Sequence, residues 1–87
     1  MTIEADIKNF YENLVVEELY QKNQQQLFET SELEDIACVA LNHLPPRYYR
    51  HSVDMAFYLS RQELGEMRKK VEEAVEIGIK VVSEKKR

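Results

Sequence analysis

The stretch that decides the fold reads DIACVALNHLPPRYYR and covers residues 35–50. Its first ten residues carry apolar side chains at helical spacing, and two consecutive prolines, Pro45 and Pro46, then interrupt the pattern. A residue before proline is pushed out of the helical region, and proline lacks the backbone donor that a helix interior needs. The stretch therefore predicts a buried helix that ends at the prolines, followed by an extended segment that is basic and aromatic.

Two helices are predicted up to this point. Apolar residues recur three or four positions apart from residue 3 to about residue 24, which predicts a first helix with Thr2 or Asp6 as its cap. The helix that contains the opening stretch starts at Thr30 or Ser31. Ser31 is followed three residues later by Glu34, the spacing of a capping box, so it is the better candidate for the cap.

The chain after the prolines is rich in aromatic residues and alternates weakly. This favours two short extended pieces joined by a turn at residues 52–54, although a helix over residues 53–59 is a fair competitor. Ser60 is then followed by Glu63, a second capping box, and apolar residues repeat at helical spacing to about Ser83. The pattern predicts a compact, mainly α domain of three helices with a short extended segment or hairpin between helices 2 and 3.

A glycine stands inside the third predicted helix. Glycine in a helix interior costs about 1 kcal/mol relative to alanine, so Gly78 needs a compensating reason. Ala74 and Gly78 form a pair of small residues four positions apart, which suits the close approach of another helix. A tolerated weak point near the end of the helix accounts for the glycine equally well.

Length and charge limit the class of protein. A chain of 87 residues supports one domain, residues 1–87, and buries too little surface to be more than marginally stable alone. Its long amphipathic segments offer more apolar surface than one core needs, so we expect a homodimer. The net charge of −4 argues against binding to a nucleic-acid polymer. We find no apolar run of 18 residues and no signal peptide, and expect a cytoplasmic protein without membrane contact.

Catalytic and metal-binding patterns are missing from the sequence. It has two glycines and no phosphate-binding loop, and neither His43 nor His51 stands at a metal or triad spacing, so we expect neither an enzyme nor a cofactor. A single cysteine excludes an internal disulfide or a cage of several thiolates. We expect Cys38 to be a small core residue. His43 is expected to bond free carbonyls at the helix end, with a ligand contact as the alternative.

The basic, aromatic segment is the candidate ligand site. Guanidinium groups bind phosphates, and tyrosine rings stack on bases. A structural interpretation competes, in which the tyrosines pack on helices 1 and 3 and the arginines pair with Glu12, Glu17, Glu18 or Asp54. The candidate residues are Arg47, Tyr48, Tyr49, Arg50 and His51.

Residues 35–48 closely resemble the signature of the late competence protein ComFB family. The shared positions are Asp35-Ile36, Ala37, Ala40-Leu41-Asn42 and Leu44-Pro45-Pro46-Arg47-Tyr48. Asn9, Glu12 and Val15 and the long C-terminal helix also match the family layout. Many members carry zinc-binding cysteines before the aspartate. Residues 27–32 of this chain contain none, so no metal site carries over.

The resemblance implies a mostly helical homodimer in bacterial signalling linked to competence, motility or surface behaviour. Several members of the family are described as receptors for cyclic dinucleotides. The resemblance therefore favours a non-enzymatic cyclic di-GMP receptor that uses residues 47–51. The alternative is an interaction module that binds a regulatory protein and no small molecule.

Overall fold

The computed structural model describes residues 7–50 and 59–85. Its elements, in chain order, are β1 (Ile7–Asn9), α1 (Phe10–Lys22), α2 (Thr30–Asn42), β2 (Tyr48–Arg50) and α3 (Arg61–Lys85). The three helices pack on one another, and the two strands pair antiparallel. The mainly helical fold with three helices is as predicted, and an extended segment does follow α2.

The first helix begins at Phe10 rather than at residue 3, so its predicted start is wrong. Residues 7–9 instead form β1, which pairs with β2 in a register that places Asn9 opposite Tyr48. The side-chain oxygen of Asn9 accepts a hydrogen bond from the Tyr11 amide at 3.2 Å, so Asn9 is the helix cap in place of Thr2 or Asp6. Residues with helical spacing before a cap can thus belong to a strand.

The core lies where the three helices meet. Each helix contributes at least one side chain with almost no solvent exposure, and each such side chain stabilises the fold by about 1.5–3 kcal/mol. The largest of them are Val15 in α1, Ile36 in α2, and Val71 and Val75 in α3.

Gly78 lies at the closest approach of α2 and α3. A Cβ atom at this position would lie 2.8 Å from the backbone oxygen of Ile36 and 3.1 Å from its Cγ2 atom. Ala74, one turn earlier, is buried as well. Of the two explanations offered for Gly78, the close approach of another helix is therefore the one that the structure supports.

Helix α2 begins at Thr30, one of the two predicted starts, but its capping residues differ from the prediction. Glu29 precedes the helix, and the Glu32 carboxylate accepts a hydrogen bond from the Glu29 amide at 2.9 Å. The capping pair thus lies two residues before the predicted Ser31 and Glu34. Both pairs have the same three-residue spacing, and the sequence offers no means of choosing an acidic cap over a serine when serine is the more usual residue.

The predicted capping box of α3 and the predicted role of His43 at the end of α2 are confirmed. At the start of α3, the Ser60 hydroxyl accepts from the Glu63 amide at 3.1 Å, and the Glu63 carboxylate accepts from the Ser60 amide at 3.4 Å. At the end of α2, Nδ1 of His43 lies 2.9 Å from the Val39 carbonyl oxygen, whose usual helical donor, the His43 amide, bonds the Ala40 carbonyl instead.

Two surface ion pairs join α1 to α3. The Lys22 ammonium donates to the Glu76 carboxylate at 2.6 Å. The Arg68 guanidinium lies 3.4 Å from the Glu17 carboxylate. The hydrogen bond to Glu76 raises the pKa of Lys22 above its ordinary value. Exposed pairs such as these contribute at most about 1 kcal/mol each, but they show which side of α3 faces α1.

Candidate ligand-binding strand

The basic, aromatic segment is fixed to the start of α1. The Arg47 amide donates to the side-chain oxygen of Asn9 at 2.9 Å, and the Phe10 amide donates to the Arg47 carbonyl at 2.7 Å. β1 then holds β2 along its whole length, from Asn9 opposite Tyr48 to Ile7 opposite Arg50. The segment is therefore an ordered strand whose position depends on the cap of α1.

Strand geometry separates the candidate residues into two groups. Side chains alternate between the two faces of a strand, so Tyr48 and Arg50 share one face and Tyr49 lies on the other. Tyr48 is 66 % exposed and Arg50 is also exposed. The strand thus presents an open ring beside a guanidinium, which suits stacking on a base next to a phosphate.

Tyr49 packs against α1. Its ring meets that of Phe10 edge to face, with centroids 5.7 Å apart, and its hydroxyl accepts a hydrogen bond from the side-chain amide nitrogen of Asn13 at 3.2 Å. The expectation that the tyrosines pack on the helices thus describes the surroundings of Tyr49 but not those of the exposed Tyr48. An edge-to-face pair of this kind adds about 0.5–1.5 kcal/mol beyond burial, so the contact anchors the strand.

Arg47 has an acidic partner, but not one of those expected. Its guanidinium lies 3.9 Å from the carboxylate of Glu63, at the start of α3, and both side chains are about half exposed. A long, exposed pair is weak, and a phosphate can replace the carboxylate at little cost. Arg50 forms no ion pair with any residue in 7–50 or 59–85.

His51, Asp54 and the predicted turn at residues 52–54 lie outside the described residues. The competing interpretations of residues 53–59 therefore remain predictions. Within the described part of the chain, the partner of the extended segment is β1. The sequence pattern placed residues 7–9, which form β1, in the first helix, so it did not predict the strand that holds the site.

Cys38 is exposed, which corrects the expectation of a core cysteine. It lies two residues after the fully buried Ile36, and two residues turn a helix by about 200°, which directs the two side chains to opposite sides. Cys38 lines an open cleft of about 430 Å³ between α2 and the end of α3, with Val39 and Val81. The apolar neighbours of Cys38 in the sequence therefore do not indicate burial.

A second apolar surface lies between α1 and α2. We call it the α1/α2 groove, defined by Val16, Tyr20, Leu33 and Ala37. Tyr20 is 71 % exposed and Val16 is 46 % exposed. Among its lining residues Glu34 is the charged one. The groove confirms that the helices carry more apolar surface than the described core covers.

The described residues show neither a metal-binding cluster nor a membrane-spanning helix. No group of three or more His, Cys, Asp and Glu side chains in residues 7–50 and 59–85 is placed to hold a metal ion. Over the same residues, none of the helices combines the length and apolar character that crossing a membrane requires.

The described chain is thus a small helical domain that displays an aromatic and basic strand held by the cap of its first helix. The family model for the late competence development protein ComFB matches residues 8–86. The chain belongs to this family, and membership fits a regulatory role in a broad sense. Searches among curated proteins and among solved structures found no match.

Proposed function

We propose that this chain is a non-enzymatic signalling protein that binds a cyclic dinucleotide, with cyclic di-GMP as the first candidate. It acts in the cytoplasm as a homodimer. The observation that carries the proposal is the exposed ring of Tyr48 on the same strand face as the exposed Arg50. An exposed tyrosine beside a cation without an ionic partner among the described residues has no evident structural purpose, whereas a stacked base and a phosphate would engage both.

The proposed contacts follow from the chemistry of each side chain. A guanine base stacks on Tyr48, and Arg50 donates a pair of hydrogen bonds to a phosphate. Arg47 exchanges its weak pair with Glu63 for a second phosphate contact. His51, the next residue along the chain, adds a further donor. Tyr49 acts through its packing on α1, which positions the strand.

A cyclic dinucleotide has two equivalent halves, so a symmetric dimer suits it. Two protomers offer two copies of the strand, related by the same two-fold symmetry as the ligand. No covalent step is part of the proposal. The ligand would act by changing the protomer surface or the stability of the dimer.

Calorimetric titration with cyclic di-GMP, and separately with cyclic di-AMP, tests the proposal. Tyr48→Ala should weaken binding by about 5- to 150-fold, from the roughly 1–3 kcal/mol that one stacked base contributes. Arg50→Ala should weaken it by about tenfold or more, because a hydrogen bond to a charged group is lost. Neither change should unfold the protein, because both side chains are exposed.

The chain offers a matched control for each variant. Tyr20→Ala removes an equally exposed tyrosine in the α1/α2 groove, and Arg68→Ala removes an exposed arginine beside α1. Both controls should bind with unchanged affinity. Absence of heat and of a thermal shift for wild-type protein at high micromolar ligand would reject the receptor function.

The alternative function is a protein-interaction module without a small ligand. The α1/α2 groove favours it, because Tyr20 and Val16 expose apolar surface that the described residues leave uncovered. Under this alternative, a regulatory partner bound by the chain should stay bound after Arg47→Ala and Arg50→Ala. Binding should instead be lost after Tyr20→Glu.

A further inference from the structure

A surface on the side of α3 that faces away from α1 carries an apolar strip. α1 lies beside Arg68 and Glu76 of α3, to which its side chains pair. Ile77 points to the other side of the helix, where it is 41 % exposed. Half-buried Val81 follows Ile77 by one helical turn, and it lines a cleft together with half-buried Val39 and exposed Cys38 of α2. We call these four residues the α2/α3 outer face: Cys38, Val39, Ile77 and Val81.

Charged side chains are arranged along this face symmetrically about Ile77. Lys70 and Glu84 stand seven residues before and after it, and Glu73 and Lys80 stand four before and three after. Seven residues are close to two turns, so Lys70, Ile77 and Glu84 form one row along the helix. All four charged residues are exposed, and none forms an ion pair within residues 7–50 and 59–85.

This arrangement is complementary to itself when reversed. If two copies of α3 lie antiparallel with their Ile77 side chains in contact, Lys70 of each copy faces Glu84 of the other. In the same arrangement, Glu73 of each copy faces Lys80 of the other. A two-fold axis therefore produces two copies of each attractive pair around an apolar centre, which is the pattern of a self-complementary interface.

We propose that the α2/α3 outer face binds the same face of a second copy, with the two-fold axis passing near Ile77. The inference rests on the homodimer of the proposed function and names the surface that forms it. The α1/α2 groove exposes more apolar surface, but Glu34 is the charged residue in its lining. Two copies docked through the groove would gain no opposite charge, so charge complementarity selects the outer face.

Disulfide trapping tests the position of the axis. In a Cys38→Ser background, Ile77→Cys should form an intermolecular disulfide rapidly under mild oxidation, because the two thiols face each other across the axis. Native Cys38 should also be linked between copies by a short bifunctional maleimide. It lies on α2 near the crossing of Ile36 and Gly78, almost level with Ile77. Val16→Cys in the same background reports on the α1/α2 groove and should stay monomeric on denaturing gels.

Charge reversal tests the pairing. Lys70→Glu should raise the dimer dissociation constant by about tenfold, because it turns two attractive pairs into repulsive ones, and Glu84→Lys should do the same. The double variant Lys70→Glu/Glu84→Lys restores both pairs in swapped form and should recover the wild-type constant. Sedimentation measures these constants, and recovery separates pairing across the axis from general effects of charge.

The outcomes separate this proposal from the receptor function. Rapid trapping at Ile77→Cys together with rescue by the double variant supports the outer face. A wild-type dimer that is trapped at Val16→Cys instead overturns it and leaves the homodimer intact. A monomer at all accessible concentrations also overturns it, while calorimetric binding of cyclic di-GMP to that monomer would show that the nucleotide site does not depend on this interface.

Discussion

Replacing Gly78 by alanine should destabilise the protein, although alanine is the better helix former. Gly78 is buried in the middle of α3, where the backbone of α2 crosses it. The added Cβ atom would lie 2.8 Å from the Ile36 carbonyl oxygen, well inside the 3.4 Å at which ordinary van der Waals contact begins. Two effects of opposite sign therefore compete at this position.

The magnitudes decide which effect prevails. Alanine gains about 0.5–1 kcal/mol over glycine in a helix interior. Overpacking a well-packed core costs about 1–3 kcal/mol. The obstacle at Gly78 is a backbone oxygen, and the fully buried Ile36 side chain also lies close, so relief requires α2 to move as a unit. We expect Gly78→Ala to lower the free energy of unfolding by about 1–2 kcal/mol.

The same helix provides the control. Gly65 also lies in α3, is exposed, and has nothing within 4 Å of an added Cβ atom. Gly65→Ala should therefore show the helix gain alone and raise the free energy of unfolding by about 0.5–1 kcal/mol. Urea denaturation at one fixed protein concentration measures both variants, because the proposed homodimer would make stability depend on protein concentration. In thermal scans the midpoints should move in opposite directions, by about 4–8 °C per kcal/mol.

A stabilised Gly78→Ala variant would contradict this reasoning. If both alanine variants gained stability alike, the close approach of α2 would be too compliant to exclude a methyl group. The small residues at positions 74 and 78 would then be tolerated rather than required. Gly78→Ser should be at least as destabilising as the alanine variant, because it adds a hydroxyl to the same restricted space.

Three further changes test local features by denaturation. Asn9→Ala should lower the free energy of unfolding by about 2 kcal/mol, because one side chain caps α1 and also holds β2; an effect below about 0.5 kcal/mol would contradict this dual role. Ser60→Ala should lower it by about 1 kcal/mol through loss of the α3 cap. Glu76→Gln should lower it by about 0.5 kcal/mol near neutral pH. Because Glu76 raises the Lys22 pKa, this difference should vanish as the pH rises through the folded-state pKa of Lys22 and deprotonates it.

The sequence predicted those features that depend on neighbours a few residues apart. Helices α2 and α3, the cap at Ser60 and the end of α2 at the prolines follow from local spacing and backbone chemistry. The close approach at Gly78 was one of two explanations that the sequence left open, because glycine weakens a helix interior and a closely packed neighbour can compensate for that cost. These features need no knowledge of which distant segment packs against them.

The features that the sequence did not predict depend on distant partners. β1 is a strand because β2, some 40 residues later, pairs with it, whereas its own residues continue the helical spacing of α1. The exposure of Cys38 likewise depends on where the core lies relative to α2. The partner of Arg47 is Glu63, which only the arrangement of α2 and α3 brings near.

The separation of Tyr48 from Tyr49 shows how this dependence affects the candidate site. In the sequence they are adjacent and chemically identical, so composition treats them as one cluster with Arg47 and Arg50. Pairing with β1 fixes the face on which each side chain lies, and Asn9 fixes that pairing to the cap of α1. One tyrosine then anchors the strand, and the other is left free beside Arg50. Any ligand that binds Tyr48 and Arg50 therefore also favours the pairing of β2 with β1, and through Asn9 the start of α1.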